Sequence, residues 1–348
     1  MLKIIDFFMA FLSVMSLTIY ATNALAQAKI TIAFQSPIEH HLAQNILFFK
    51  EELEKTSRKS VLVKINDYGS YLKESGATEK QISKEKYFLA KDILEAVKGR
   101  KVEAGMLSLS RLSNLIPLAD LFNQPFLVDS EKKVADTVSK DSIVRRSIES
   151  ALLKLGITAL WWQPYGSVIF VSNGSPIQNP EQMQNKKVRV FSETLGNLVL
   201  ASGGTPLAIP NSLQYFAYEH QKVDMGMTTI ADIRNRKIWD VMDTISLTNS
   251  ANMQFLIIVN SSWWNSLNPN LRRLISQSAA TAEKKSVETL KIIEAISYKE
   301  AIQNGMKLVV LSEDDRDYWR EISSPVYKKF LESTGSEGQI IFDRLINY

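Results

Sequence analysis

From Pro269 to about Asn304 the sequence keeps a single apolar stripe at helical spacing, running from Leu271 and Leu274 to Ile293 and Ile296. Proline is well placed at a first turn, where its missing N–H is not needed. A helical pattern of that length is unusual inside one globular domain. It suits a helix that crosses from one domain to another. The chain has 348 residues, 45% of them hydrophobic, enough for two domains with cores of their own.

The remainder alternates between strand and helix patterns, which gives an α/β chain. KITIAF at 29–34 and SVLVKI at 60–65 read as strands, with a helix at 41–56 between them. That spacing suggests parallel βαβ units rather than hairpins. Residues 131–156 read as mostly helical, and 122–128 as a loop around Pro125. Strands at 157–162 and 168–172 bracket QPYG, and Trp161-Trp162 and Trp263-Trp264 read as aromatic doublets on strands. A last helical stretch, 313–333, is expected to break at Pro325. The stretch 68–86 is polar and reads as a loop with a short helix. No Pro/Gly/Ser-rich linker joins the domains, so the chain must cross between them more than once. The candidate crossings are Trp161 to Tyr165, Asn252 to Phe255 and the long helix.

The first 26 residues form a separate unit. Lys3 opens a positive segment, Phe7 to Ala21 is mostly apolar, and Ala24-Leu25-Ala26 offers the small-x-small pattern of a signal peptidase site. The apolar run is shorter than the roughly 20 residues a spanning helix needs. A cleaved signal peptide, residues 1–26, is therefore expected, with a mature protein that is not embedded in a membrane. The sequence has no cysteine, so no disulfide framework and no lipid attachment at the cleavage site are expected. The net charge of +4 is spread along the chain without a basic block, which argues against a nucleic-acid partner.

Catalytic signatures are sparse. The three histidines are His40, His41 and His220, and no G-x-S-x-G, H-E-x-x-H or paired-cysteine pattern occurs. Adjacent side chains diverge in a helix, so His40-His41 reads as a helix start rather than a metal pair. No enzyme, metal or cofactor is expected. Glu103 and Asp224 each open a strand and read as solvated strand ends. One member of the Trp161-Trp162 doublet faces the core, and the other, Trp162, could line a cleft.

The remaining feature is NKKVRVFSE, residues 185–193. In a period-two strand Val188 and Val190 face one side, and Lys187, Arg189 and Phe191 face the other. Arg189 is then either a solvated surface residue or a cation aimed into a cleft. A guanidinium holds a carboxylate through two parallel hydrogen bonds, fixing its orientation as well as its place.

The order of several segments decides how that arginine is read. KKVRV at 186–190, GGTPLAIP at 203–210, YFAYEHQKVD at 215–224, RKIWDV at 236–241 and VNSSWWNSL at 259–267 follow one another. Upstream lie ILEAVKGRKVEAGMLSLSRLSNLIP at 93–117 and QPFLVDS at 124–130. Together they resemble the extracytoplasmic solute receptors of tripartite ATP-independent periplasmic (TRAP) transporters, the DctP family. The resemblance implies a two-domain periplasmic-binding-protein-like α/β fold. Its ligand cleft lies between the domains, which are joined by connecting strands and a long domain-spanning helix. It implies domain I at 27–165 plus 254–293 and domain II at 166–253 plus 294–348. It implies a periplasmic protein that captures a small organic acid and hands it to the membrane subunits of a TRAP permease. A receptor-like sensory or adaptor protein of a membrane signalling partner is the alternative, and a hydrolase a third.

Within the resemblance, Arg189 matches the arginine that forms the salt bridge to the ligand carboxylate. Gln35, Ser108 and Thr228 fall where sialic-acid receptors of the family place an asparagine, a glutamate and an asparagine. Phe191, Asn211 and Trp162 complete the expected ligand-binding set. Val168 stands where a second arginine is common, Leu213 where a glutamate is frequent, and VDMGM replaces a V-D-G-Q-E run. Those departures point to a smaller or less polar acid than a sialic acid, held mainly by Arg189.

Overall fold

The structure is a computed structural model that describes residues 28–34, 38, 40–67 and 89–348. The leader, Gln35 and the polar stretch 68–86 lie outside the described residues. Eleven strands are described, and they form two sheets. The first has the order β2-β1-β3-β10-β4 and the second the order β11-β9-β5-β8-β6-β7. In the first, β1 (Ala28–Phe34) pairs in parallel with β2 (Val61–Asp67) and β3 (Ala104–Ser108). The intervening helix His41–Thr56 buries Leu42, Ile46, Phe49 and Leu53, a 3.6-period stripe laid against that sheet.

The remaining strands explain how the domains connect. β4 (Ile157–Ser167) runs antiparallel to β10 (Asn252–Asn260), pairing from Ile157 with Asn260 to Ser167 with Asn252. β4 continues through Val168 into β5 (Ile169–Ser172) of the second sheet, and β9 (Thr244–Leu247) feeds back into β10. Val168 donates its N–H to Ala251 O and accepts from Ser250 N, so the hydrogen-bonded ribbon has no gap between the sheets. The strand crossings expected at 161–165 and 252–255 lie a few residues away, at 167–169 and 250–252. QPYG, expected between two strands, lies inside one. Its Pro164 is tolerated because Gly166 pairs with Met253 and Pro164 with Gln254, leaving Tyr165 as the extra residue of a bulge.

The long helix spans Pro269–Gln303, 35 residues or about 50 Å. Asn268 caps it by accepting the Leu271 N–H. Ile275, Ala279 and Ala282 pack into the core of the first sheet, and Ala301 into that of the second. Its buried face is mostly small, Ser278, Ala279, Ala282 and Ser286, which lets neighbouring backbone approach closely. The second sheet is completed by β6 (Lys187–Val190), β7 (Thr205–Ala208), β8 (Met225–Thr228) and β11 (Lys307–Val310).

Four local expectations are corrected. Residues 131–156 are two helices, Glu131–Val138 and Ile143–Lys154, because Ser142 caps a new start by accepting the Val144 N–H. The loop expected at 122–128 begins two residues later, because the 3-10 helix Pro117–Asn123 takes its first two positions. Trp263-Trp264 sit on the short helix Ser261–Ser266, capped by Asn260, and not on a strand. The last helical stretch breaks just before Pro325, as expected: Glu313–Ile322 ends at Ser323 and Ser324–Ile346 opens with Pro325 in its first turn, but it kinks at Gly335 and continues past the expected end at 333. That helix carries Phe330, Ile341 and Leu345 into the core of the first sheet.

Gly166 holds φ at 126°, and a Cβ there would stand 2.9 Å from Glu294 Oε1 on the long helix. Only glycine adopts that backbone at low cost. Gly166→Ala should therefore lower stability by about 1–3 kcal/mol, read as a fall in melting temperature.

Candidate functional site between the two sheets

Arg189 sits on β6, between β7 and β8. It is fully buried, with 0% of its surface exposed. Its neighbours Val188 and Val190 pack into the core of the second sheet on the opposite face. The period-two reading of the strand holds, but neither face meets water. Opposite Arg189 in the register is Gly226. A Cβ there would collide with the Tyr218 hydroxyl and press on the Arg189 side chain, so this glycine makes the room in which the arginine lies.

The guanidinium is fixed by protein oxygens. Nε donates to Ile209 O at 2.9 Å, Nη1 to Met227 O at 2.5 Å and Nη2 to Asn211 Oδ1. A guanidinium has five N–H donors, so two remain. Among the described residues no carboxylate lies within ion-pair distance of it. Burial lowers its pKa, opposed by Tyr218, Asp232 and Tyr165. The group therefore stands as a desolvated cation with two free donors and no partner of opposite charge in contact.

Asn211 links this cation to a second group. Its Nδ2 donates to Asp232 Oδ2 at 3.2 Å and to the Tyr165 hydroxyl at 3.4 Å. Tyr165 donates to Asp232 Oδ2 at 2.8 Å, joining β4 of the first sheet to the helix Ile230–Arg236 of the second. That helix is capped by Thr229, which accepts the Asp232 N–H. Arg236 Nε lies 3.4 Å from Asp232 Oδ1. The Tyr165 ring stacks on Phe255 at 5.2 Å and on His40 at 5.4 Å, with His41 at 5.6 Å. His40 Nδ1 caps the helix His41–Thr56 by accepting the Leu42 N–H, as expected for a helix start.

The expected site residues divide between this place and others. Arg189 and Asn211 are bonded to each other, and the Phe191 ring lies 5.5 Å from the guanidinium. Thr228 is buried one residue beyond Met227 and donates to Gln214 Oε1, which belongs to the side chain that also donates to Tyr218. Ser108 ends β3 and shares a 2.6 Å hydrogen bond with Ser110. Trp162 is turned into the core of the first sheet, where it donates to Glu149 and meets Phe122 and Arg145. Gln35 lies outside the described residues. The sequence does not mark His41, Tyr165, Asp232 and Arg236 as binding residues. The histidine doublet was visible in sequence. Nothing local distinguishes Asp232 from an ordinary first-turn acid beside a threonine cap.

A cavity of about 490 Å³ opens between the domains beside Phe191, lined by Ser110, Arg111, Asp120, Glu193 and Lys329 among others. Arg189 does not line it. Asp120 closes one wall by accepting from Thr194 at 2.7 Å across the two domains, and from Gln124 and Asn123. Burial raises the Asp120 carboxyl.

Comparison with known proteins now adds a family. Residues 41–334 match the DctP family, described as bacterial extracellular solute-binding protein, family 7. The chain belongs to this family. Among relatives of this solute-binding protein is the ectoine-binding periplasmic protein TeaA of Halomonas elongata. It is 24% identical over 260 residues, covering 73% of this chain and 75% of that protein. The C4-dicarboxylate-binding periplasmic protein DctP of Vibrio cholerae is 24% identical, covering 70% and 73%. A TRAP periplasmic solute binding protein from Ochrobactrum anthropi superposes with a TM-score of 0.80 at 20% identity, over 93% of this chain and 96% of that chain. One from Sulfurospirillum deleyianum with bound succinate gives 0.75 at 20%, over 92% and 98%. These structures share the two-domain fold. No helix among the described residues is long and apolar enough to cross a membrane.

Burial pushes the His41 imidazole down to about 3, with His40 adding to the shift and Asp232 opposing it. A pKa below its unfolded value of 6.5 means that the unfolded chain binds the proton first. His41 therefore favours folding fully above about pH 6.5, and this is lost as pH falls towards 3. At pH 5 the loss is about 2 kcal/mol. Glu294 has the opposite sign: burial and then Glu131 push it up to about 7, so its contribution fades as pH rises from 4.5 to 7. Melting temperatures from pH 7 to 5 should fall less for His41→Asn than for the parent. Glu294→Gln should flatten the rise-side loss between pH 5 and 8.

Proposed function

We propose that this family 7 protein is a periplasmic receptor that captures a small organic acid through its carboxylate and delivers it to the membrane subunits of a TRAP permease. The observation that carries the reading is Arg189, a fully buried guanidinium with two free donors and no contacting carboxylate among the described residues. In a desolvated place the pair it would form with a ligand is screened far less than at a surface. The relatives' names, ectoine-binding and C4-dicarboxylate-binding, support small polar acids as the class. Residues 1–26 would be removed on export. The protein would act by binding and release, without chemistry on the ligand.

In this reading the domains are 27–165 with 254–293 and 166–253 with 294–348. The final helix, assigned to domain II, rests its far end on the core of domain I. Arg189 and Asn211 hold the carboxylate, with Phe191 beside them. Thr228 supports the strand from behind through Gln214. Ser108 and Gln35 are proposed as outer contacts, whereas Trp162, turned into the core of the first sheet, is withdrawn from the ligand-binding set.

The test is a thermal-shift panel of organic acids on the purified protein, with mass spectrometry of any acid that co-purifies. At a concentration of 100 Kd a true ligand should raise the melting temperature by roughly 5–10 °C. Arg189→Lys should lose that shift, because an ammonium lacks the two-pronged fork. It should also melt lower than the parent by itself, since three buried acceptors lose a donor geometry worth on the order of 1–3 kcal/mol each. A lysine variant that folds and keeps the full ligand shift would sink the anchor role.

A further inference from the structure

Buried polar atoms without a hydrogen-bond partner among the described residues lie on both sides of Tyr165, which Asn211 links to Arg189. They are both ring nitrogens of His41, Asn45 Oδ1, and Asp232 Oδ1 with Arg236 Nε, which stand 3.4 Å apart as an ion pair but without a hydrogen bond. His41, Asn45 and Asp232 are each more than nine-tenths buried. Leaving such atoms unpaired away from water is costly, and a bound molecule that pairs them would remove that cost. Their placement is coherent. His41 and Asn45 stand four residues apart on one face of their helix. Asn45 is held by its Nδ2 bond to Gln163 Oε1 at 2.7 Å, which leaves its carbonyl oxygen free. Tyr165, in ring contact with His41, carries the line across to Asp232 on the other domain.

The charges at this place decide what such a molecule can be. Among the described residues the charged groups here are Arg189, Asp232 and Arg236. Arg236 already answers Asp232, so one positive charge is left over, on Arg189. The unpaired atoms are mainly acceptors: Asn45 Oδ1, Asp232 Oδ1 and one nitrogen of a neutral His41. The other His41 nitrogen and Arg236 Nε are donors. A ligand with one carboxylate on Arg189 balances the charge. Its other end must donate hydrogen bonds to the acceptors and can accept from the two donors. A second carboxylate there would face Asp232 and could donate nothing.

We propose, on the receptor reading above, that Asp232 determines specificity. It admits acids with a single carboxylate and a neutral end that donates and accepts hydrogen bonds, an amide, lactam or hydroxyl, and it turns dicarboxylates away. Asp232 also positions Asn211 and Tyr165, so its charge acts on the same atoms that seat the ligand carboxylate.

Matched pairs test this by titration calorimetry: succinate against succinamate, and glutarate against glutaramate, which differ only in one carboxylate becoming a carboxamide. The amide member should bind the parent protein on the order of 100-fold more tightly. Asp232→Asn keeps an oxygen for the Tyr165 hydroxyl but removes the charge, and should erase or invert the preference. Equal or tighter binding of the dicarboxylates by the parent protein overturns the proposal without needing the variant. An Asp232→Asn protein that folds and keeps the parent ratio also overturns it. If none of the four acids binds and Arg189→Lys changes nothing in the wider acid panel, the carboxylate reading itself falls, and this inference with it.

Discussion

A guanidinium held without water is the constraint around which the second domain is arranged. Burying a charge is expensive, and the cost is met here by oriented neutral oxygens rather than by an ion pair. Two main-chain carbonyls, Ile209 O and Met227 O, and the amide oxygen of Asn211 receive it. Each comes from a different segment: the chain leaving β7, the end of β8, and the turn before the helix Gln214–Glu219. Their positions depend on the β8-β6-β7 order, and Gly226 opposite the arginine supplies the space. Carbonyl dipoles orient the fork without cancelling its charge. That leaves the positive field available to a molecule arriving from outside.

The contacts that cross between the domains near this cation are few and polar. Tyr165 to Asp232, Asn211 to Tyr165 and Thr194 to Asp120 are single hydrogen bonds. The permanent attachment is elsewhere, in the two-strand ribbon of β4 and β10 and in the long helix. Arg234 of the second domain is paired with Glu300 on that helix at 2.9 Å. Strength at the back and hydrogen bonds at the front is the arrangement expected where two domains can move against each other.

Much of the frame was legible in the sequence because periodicity records burial directly. The helix Pro269–Gln303 and the strand Lys187–Val190 stand close to where their patterns place them. So do the crossings around 161–165 and 252–255. What failed was punctuation. Pro325 marks a real break, but the end read at 333 is only a kink at Gly335, and the packing of Ile341 and Leu345 keeps the chain helical beyond it. Pro164 reads as a strand end, yet a bulge against β10 absorbs it. The arginine was legible as a candidate, but its burial was not, since a strand pattern cannot say what covers its polar face. Asp232 and His41 were illegible as site residues. They meet across Tyr165, and a residue displaced by a bulge has no signature in the sequence around it.

The position of β10 in its sheet has a consequence for how the molecule is made. It lies between β3 and β4, so the first sheet is interrupted until residues 252–260 are available. Those residues come after the whole of β5 to β9. A chain delivered N-terminus first therefore exposes β3 and β4 as two unpaired edges while an entire second sheet is assembled between them. Contacts of that sequence separation are slow to form, and open strand edges invite pairing with other chains. The second domain, by contrast, has most of its strands in one continuous stretch. It can close early and bring residues 167 and 252 together, and the edges of the first sheet are then sealed by a strand that arrives already aligned.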